Sequence, residues 1–164
     1  MKGFMACLVG SVLSLLSCSR ATMPESELES VEFTRSGTMA GYEYEGRVKK
    51  DSSGVFVLRA MKETYGPLFE KQLTAEQMTR FREIIVEEKM YKYKERYTPM
   101  MEVLDGWSWE FHAKFADGSC IYSHGSNASP RGEGLHKIRQ YMVELIQDSE
   151  VAVDPDAGSE EDDE

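Results

Sequence analysis

The sequence predicts an α+β domain: a single antiparallel sheet of four or five strands with two helices packed on one face, in the order hairpin, helix, hairpin, helix. Three observations lead there. Two stretches, "GYEYEGRVK" and "WSWEFHAKF", alternate apolar and polar residues with the period of two that a half-buried strand requires. Each is followed by turn residues and a second strand-like run. Each pair then gives way to a segment whose apolar residues recur at three and four positions, the spacing of a helix that buries one side.

A different kind of segment precedes the domain. Lys2 is the only charge before Arg20, and Phe4 to Leu16 are mostly apolar or small. That run is shorter than the ~20 residues that cross a bilayer. With its basic flank it reads as a secretory signal. It ends in "LLSC", Leu15 to Cys18. This stretch resembles the bacterial lipobox: an aliphatic residue, a tolerant position, a small residue, then cysteine. The resemblance implies that the Cys18 thiol receives a diacylglyceryl group, that residues 1–17 are cut away as a lipoprotein signal peptide, and that the new amino group is acylated with a palmitate-type chain. A buried methylene contributes about 0.8 kcal/mol, and one acyl chain holds only marginally, so two or three are needed for a firm anchor. Ser19 follows the cysteine. In Gram-negative lipoproteins resembling this one, aspartate there retains the protein at the inner membrane, so serine implies the outer membrane. The expected location is the cell envelope, lipid-anchored at the outer membrane, on its periplasmic or outer side.

Residues 18–30 are polar and carry Glu25, Glu27 and Glu29, which suits a tether. The domain is expected over 31–150. Residues 151–164 are expected to form an acidic, disordered tail, because seven carboxylates fall between Asp154 and Glu164 with few apolar residues among them. The whole chain has 29 acidic and 19 basic residues and a formal net charge of −10. No basic stripe runs through it, so nucleic acid is not an expected partner. The densest basic cluster, "KMYKYKER" from Lys89 to Arg96, reads as the solvated end of a helix.

Within the domain, Tyr42, Tyr44 and Val48 share one face of the first strand, and Glu43, Glu45, Arg47 and Lys49 share the other. "DSSG" supplies the turn, and Val55 to Ala60 the returning strand. "KETYGPLFEK" reads as a loop. Thr74 and Gln77 then form a capping box, with Leu73 and Met78 as its hydrophobic staple. Met78, Phe81, Ile84 and Ile85 line the buried side of a helix that runs to about Lys89. In the second hairpin Trp107, Trp109, Phe111, Ala113 and Phe115 face one way, and Ser108, Glu110, His112 and Lys114 the other. Asp117-Gly118 predicts a two-residue type I′ turn, which would set Phe115 opposite Cys120 and Phe111 opposite His124. Cys7 leaves with the leader and Cys18 carries lipid, so Cys120 is expected to be a lone, buried, unreactive thiol. Ser129 reads as the cap of the last helix with Pro130 in its first turn. Leu135, Ile138, Tyr141, Met142, Leu145 and Ile146 form its apolar side. The stretch "SVEFTRSG" offers a fifth strand.

The run from Leu104 to Leu145 combines Asp105-Gly106 before a tryptophan strand, the Asp-Gly turn, and "GSNASP" from Gly125 to Pro130. It resembles small Gram-negative bacterial lipoproteins of unknown function that share a DGxxW strand, a DG hairpin and a GxNxxP turn before the last helix. The resemblance implies the architecture and no catalytic role.

Candidate chemistry is sparse. His112, His124 and His136 have no metal-ligand spacing, so no metal is expected, and no cofactor. Ser126 follows a glycine after a strand, but "GSN" lacks the second glycine of a nucleophile elbow. No catalytic residue is assigned. His124, Ser126 and Asn127 form the candidate binding rim, although Asn127 is explained first as a turn residue that accepts left-handed geometry. The expected function is a non-enzymatic binding or interaction module holding a protein or glycan partner near the membrane. The alternatives are a small hydrolase-type enzyme using His124 with a nearby carboxylate or Ser126, and an envelope inhibitor or accessory subunit.

Overall fold

A computed structural model describes residues 22–37, 41–61, 66–101, 106–147 and 152–153. The signal segment, Cys18, Asp105 and the tail beyond Val153 lie outside the described residues. The strands are β1 (Leu28–Gly37), β2 (Gly41–Lys50), β3 (Phe56–Met61), β4 (Leu68–Leu73), β5 (Arg96–Tyr97), β6 (Trp107–Phe115), β7 (Cys120–Ser126) and β8 (Ala152–Val153). The helices are α1 (Ala75–Glu87) and α2 (Gly134–Gln147).

All strands join one sheet in the order β5-β7-β6-β1-β2-β3-β4-β8. Seven strands run from β5 to β4, and the two-residue β8 pairs at the far edge with Leu68 and Phe69. Every pairing is antiparallel except β5 with β7, so the sheet is mixed. The expected four- or five-stranded antiparallel sheet is therefore corrected to a larger mixed one, within the α+β class.

Three features account for the extra strands. β1 starts at Leu28, inside the stretch that reads as tether, and lies in the middle of the sheet, paired to β2 and β6. It is the bond between the two hairpins. Its pairing shifts between Leu28 and Ser30, which lets Leu28 and Val31 both face the core although they are three positions apart. A bulge of this kind breaks the period of two from which strands are read. β4 replaces part of the expected loop, and its sequence "LFEKQL" hides it by placing Lys71 on the covered face. Near the sheet edge that lysine reaches out and donates to the Leu145 carbonyl of α2 at 2.6 Å. β5 belongs to the lysine–tyrosine cluster expected as a solvated helix end. Instead Lys89 takes a left-handed φ of 53° and the chain turns out of α1. Met90 is fully buried, and Tyr91, Tyr93 and Tyr97 pack on the core while Lys92 and Lys94 stay exposed.

α1 forms as its sequence requires. Gln77 N–H donates to Thr74 Oγ1 at 3.2 Å, and Thr74 N–H donates to Gln77 Oε1 at 2.9 Å. Met78, Phe81, Ile84 and Ile85 are its buried residues. α2 begins at Gly134, not near Ser129 and Pro130, which lie in the preceding loop. The Glu88 carboxylate at the end of α1 accepts from Glu133 N–H at 3.3 Å and pairs with Lys137, so it joins the end of α1 to the start of α2. Buried residues of both helices meet Val31, Phe33, Val48, Leu58, Phe111 and Ala113 in one core, so both cover the same face of the sheet. The other face is crossed by pairs of opposite charge: Lys49 with Glu32 at 2.9 Å, Arg47 with Glu32 at 3.3 Å, and Arg59 with Glu70 at 2.7 Å. Such partly exposed pairs contribute at most about 1 kcal/mol each, and their effect is chiefly to keep this face soluble.

Tyr44 and Ser30 are side chains of the sheet with a buried hydroxyl that has no hydrogen-bond partner among the described residues. Tyr44 is buried, and its hydroxyl has no hydrogen-bond partner among the described residues. Burial raises its pKa, with Arg139 opposing. An unpaired buried hydroxyl costs about 1–3 kcal/mol relative to a satisfied one. Tyr44→Phe is therefore expected to raise stability by about 1 kcal/mol. A urea-unfolding midpoint lower than that of the wild type would refute this.

Candidate functional site

The stretch that carries the candidate rim is first a structural latch. Asn127 adopts a left-handed φ of 51°. Its backbone N–H donates to the Trp107 carbonyl at 2.8 Å, and its Oδ1 accepts from Trp107 N–H at 2.9 Å. Trp109, buried on β6, donates its indole N–H to the Ala128 carbonyl at 2.8 Å. A Cβ on Gly106 would lie 1.9 Å from Asn127 Oδ1, and one on Gly125 only 2.5 Å from the Ala128 oxygen. Glycine, tryptophan and asparagine thus occupy their positions because backbone and side chains approach closely there. The DGxxW and GxNxxP spacings describe how the ends of β6 and β7 are fastened.

Register decides what else gathers nearby. Phe115 N–H donates to the Ser119 carbonyl, and Gly118 N–H to the Phe115 carbonyl. Three residues therefore lie in the turn, with Gly118 at φ 79°. A type I′ turn needs positive φ at both central residues, and Asp117 does not adopt it. Instead the Asp117 carboxylate accepts from the Ser119 N–H and hydroxyl. The "DSSG" hairpin is built the same way, with Asp51 N–H donating to Val55 and Gly54 N–H to Asp51. The extra residue shifts β7 by one. Cys120 now pairs with Lys114, Tyr122 with His112, Ser123 with Phe111, and His124 with Glu110.

Two expectations change with that shift. Cys120 turns away from the aromatic core to the helix-free face, and it is disulfide-bonded, not a lone thiol. The chain's other cysteines, Cys7 and Cys18, lie outside the described residues. His112 and His124, expected on opposite faces, share one. The Tyr122 ring sits between them, with centroids 5.8 Å from His112 and 5.6 Å from His124. His136 is on α2, under the opposite face, so the three histidines do not converge.

His124 and Ser126 line a shallow groove of about 330 Å³ on the helix-free face, together with Thr34, Ser36, Arg96 and Glu110. The Ser36 and Ser108 hydroxyls are bonded to each other at 2.6 Å at its edge. A neighbouring hollow of about 220 Å³, holding Glu32, Glu45, Arg47 and His112, continues it. Asn127 does not line the groove, because its amide is turned to Trp107. Sequence reasoning missed Arg96, which reaches the groove only because β5 lies parallel along His124 and Gly125. A strand of two residues shows no period, so no local signal marks it. Among the described residues no hydrogen bond joins the His124 imidazole to Ser126 or to a carboxylate, and no group of three potential ligands is placed to hold a metal ion. No helix among them is long and apolar enough to cross a membrane.

His112 gives this face a pH dependence. Burial lowers its pKa below the ordinary 6.5, helped by Lys114, while Glu32 and Glu110 oppose the shift. Just below pH 6.5 the unfolded chain therefore takes up a proton that the folded chain refuses. Stability falls as the pH drops through this window and levels off below the folded value. His112→Gln is expected to flatten the decline as the pH falls through and below 6.5. The measurement is the urea midpoint against pH, and parallel curves for the two proteins would refute it. Glu32 acts in a more acidic window. Burial alone would raise its pKa, but Lys49, Arg47 and His112 together lower it, so its contribution is lost only as it protonates below 4.5.

Comparison with protein families, with characterised proteins and with solved structures finds no match to this chain.

Proposed function

We propose that this chain is an envelope lipoprotein, anchored through Cys18, whose domain is a non-enzymatic binding module for a glycan. The supporting observation is the groove on the helix-free face. His124 and Ser126 share it with Thr34, Ser36, Arg96 and Glu110, so hydroxyls, an imidazole, a guanidinium and a carboxylate alternate over a shallow surface. Such a set offers donors and acceptors at short intervals, which suits a ligand that is itself a chain of hydroxyl groups. A base paired to a nucleophile would favour a hydrolase, and His124 instead packs against Tyr122.

The anchor and the groove are tested separately. Cys18 has one sulfur, which cannot hold both a lipid thioether and a disulfide. Mass spectrometry of the protein purified from its membranes should show a diacylglyceryl group on Cys18. Cys18 found in a disulfide, or Cys18→Ala remaining membrane-bound, would overturn the anchor. For the groove, the full chain in detergent is sedimented with isolated peptidoglycan sacculi. Arg96→Ala with His124→Ala is expected to lower the bound fraction at least about tenfold, which corresponds to 1.4 kcal/mol. Equal sedimentation of wild type and variant would remove the glycan reading and leave the anchor untouched.

A further inference from the structure

Much of the segment expected to be a free tether is bound to the domain. Met23 packs against the core, and Pro24 is buried. Arg82 of α1 donates to the Pro24 carbonyl at 2.8 Å and reaches the Glu25 carbonyl at 3.4 Å. The Glu27 carbonyl accepts from Ala116 N–H at 2.9 Å. β1 then begins, with Leu28 paired to Phe115. Residues 23–27 therefore form a strap, fastened to α1 and to the β6–β7 turn. It leaves the domain at the end of the sheet that holds the turns at Gly54 and Gly118.

The His124 groove lies at the other end. Ser36, Ser108 and Ser126 line it, and they are paired neighbours at the far ends of β1, β6 and β7. From Leu28 to Ser36 the strand runs about 26 Å at the usual rise per residue. The strap follows a helix, whereas the groove is on the helix-free face, so the two are diagonally opposed. Length then decides orientation. Five residues of sequence lead from Cys18 to Met23, and fully extended they span at most about 18 Å. That is less than the length of β1. Charge does not select an end, because the exposed Lys50 and Lys114 beside the turns are offset by Asp51 and Asp117. Resting on the Cys18 anchor proposed above, we infer that the strap seats the domain on the lipid headgroups by its turn end and holds the groove open away from the membrane. A glycan in that groove then belongs to a structure beyond the anchoring bilayer, not to the headgroups of that bilayer. Without the strap, the lead from Cys18 to Leu28 would span up to about 35 Å, and either end could meet the lipid.

Paramagnetic broadening distinguishes the two ends. The isotope-labelled, lipidated full chain is placed in nanodiscs of phosphatidylethanolamine and phosphatidylglycerol, with and without a nitroxide on the headgroups. The amide peaks of Gly54 and Gly118 are expected to lose most of their intensity to the nitroxide, and those of Gly125 and Ser126 to keep theirs. Equal loss at both ends, or greater loss at Gly125 and Ser126, would overturn the inference and leave the anchor standing. A chain that does not co-purify with the discs fails the anchor itself, and the inference falls with it. A flexible Gly-Ser segment as long as β1, inserted after Ser19, lengthens the lead without touching the fold. It should reduce the contrast between the two ends, as should Arg82→Gln by releasing Pro24 and Glu25. Should Arg82→Gln fail to fold, the insertion decides: a contrast that it leaves unchanged would overturn the short lead as the cause.

Discussion

Gly125→Ala is expected to unfold about 10 °C below the wild type, a loss of about 3 kcal/mol. Gly125 lies on β7 under the loop that returns across the sheet end. A Cβ there would stand 2.5 Å from the Ala128 carbonyl oxygen, 2.5 Å from Trp109 Nε1 and 2.9 Å from Trp109 Cε2. Backbone on one side and a buried indole on the other leave nothing to rotate away. Forcing a methyl group into such a space costs about 1–3 kcal/mol. Separating Trp109 from Ala128 also breaks the 2.8 Å hydrogen bond between them, at a further cost of about 1 kcal/mol. Thermal unfolding followed by circular dichroism measures the loss. A midpoint within a few degrees of the wild type would mean that the loop can lift off the strand without penalty, and the latch would lose its meaning.

Phe81→Ala should cost about 4 kcal/mol, the middle of the range for truncating a buried ring. Phe81 is fully buried on the inner side of α1. Its ring meets the Tyr141 ring of α2 edge-on, with centroids 4.8 Å apart and planes inclined at 65°. Removing it leaves a cavity where α1, α2 and the sheet converge, and it ends an aromatic contact that is itself worth about 0.5–1.5 kcal/mol. Neither helix can close the gap alone, because Glu88 and Lys137 fasten the end of one to the start of the other. Denaturant unfolding gives the value directly. A cost below about 2 kcal/mol would show that the helices relax together into the space.

Both effects arise where local pattern and tertiary contact agree to different degrees. The α1 helix is legible in full. Thr74 and Gln77 cap it, and its four buried residues are the four that the period of 3.6 selects. β6 is legible for the same reason, since its alternation runs unbroken from Trp107 to Phe115. β1 is not, because a bulge places Leu28 and Val31 on one face out of phase. β4 and β5 are not, because strands near a sheet edge need bury little and show little pattern. Of the candidate rim, His124 and Ser126 come together in one groove, and Asn127 serves the backbone of Trp107. Arg96 enters that groove from a strand too short to carry a period.

Local sequence determined the elements whose stability is settled within a few residues: the capped helix, the alternating strands and the positions of the turns. It also determined the charge of the chain and the lipobox-like stretch at its start. The tertiary structure alone decided which face each β7 residue occupies, because one additional turn residue at Gly118 reverses every side chain beyond it. It alone decided that β1 is central and that the segment before it is fastened to α1. Those outcomes depend on contacts between residues far apart in the chain, and the free energy of such contacts is not written in any local period.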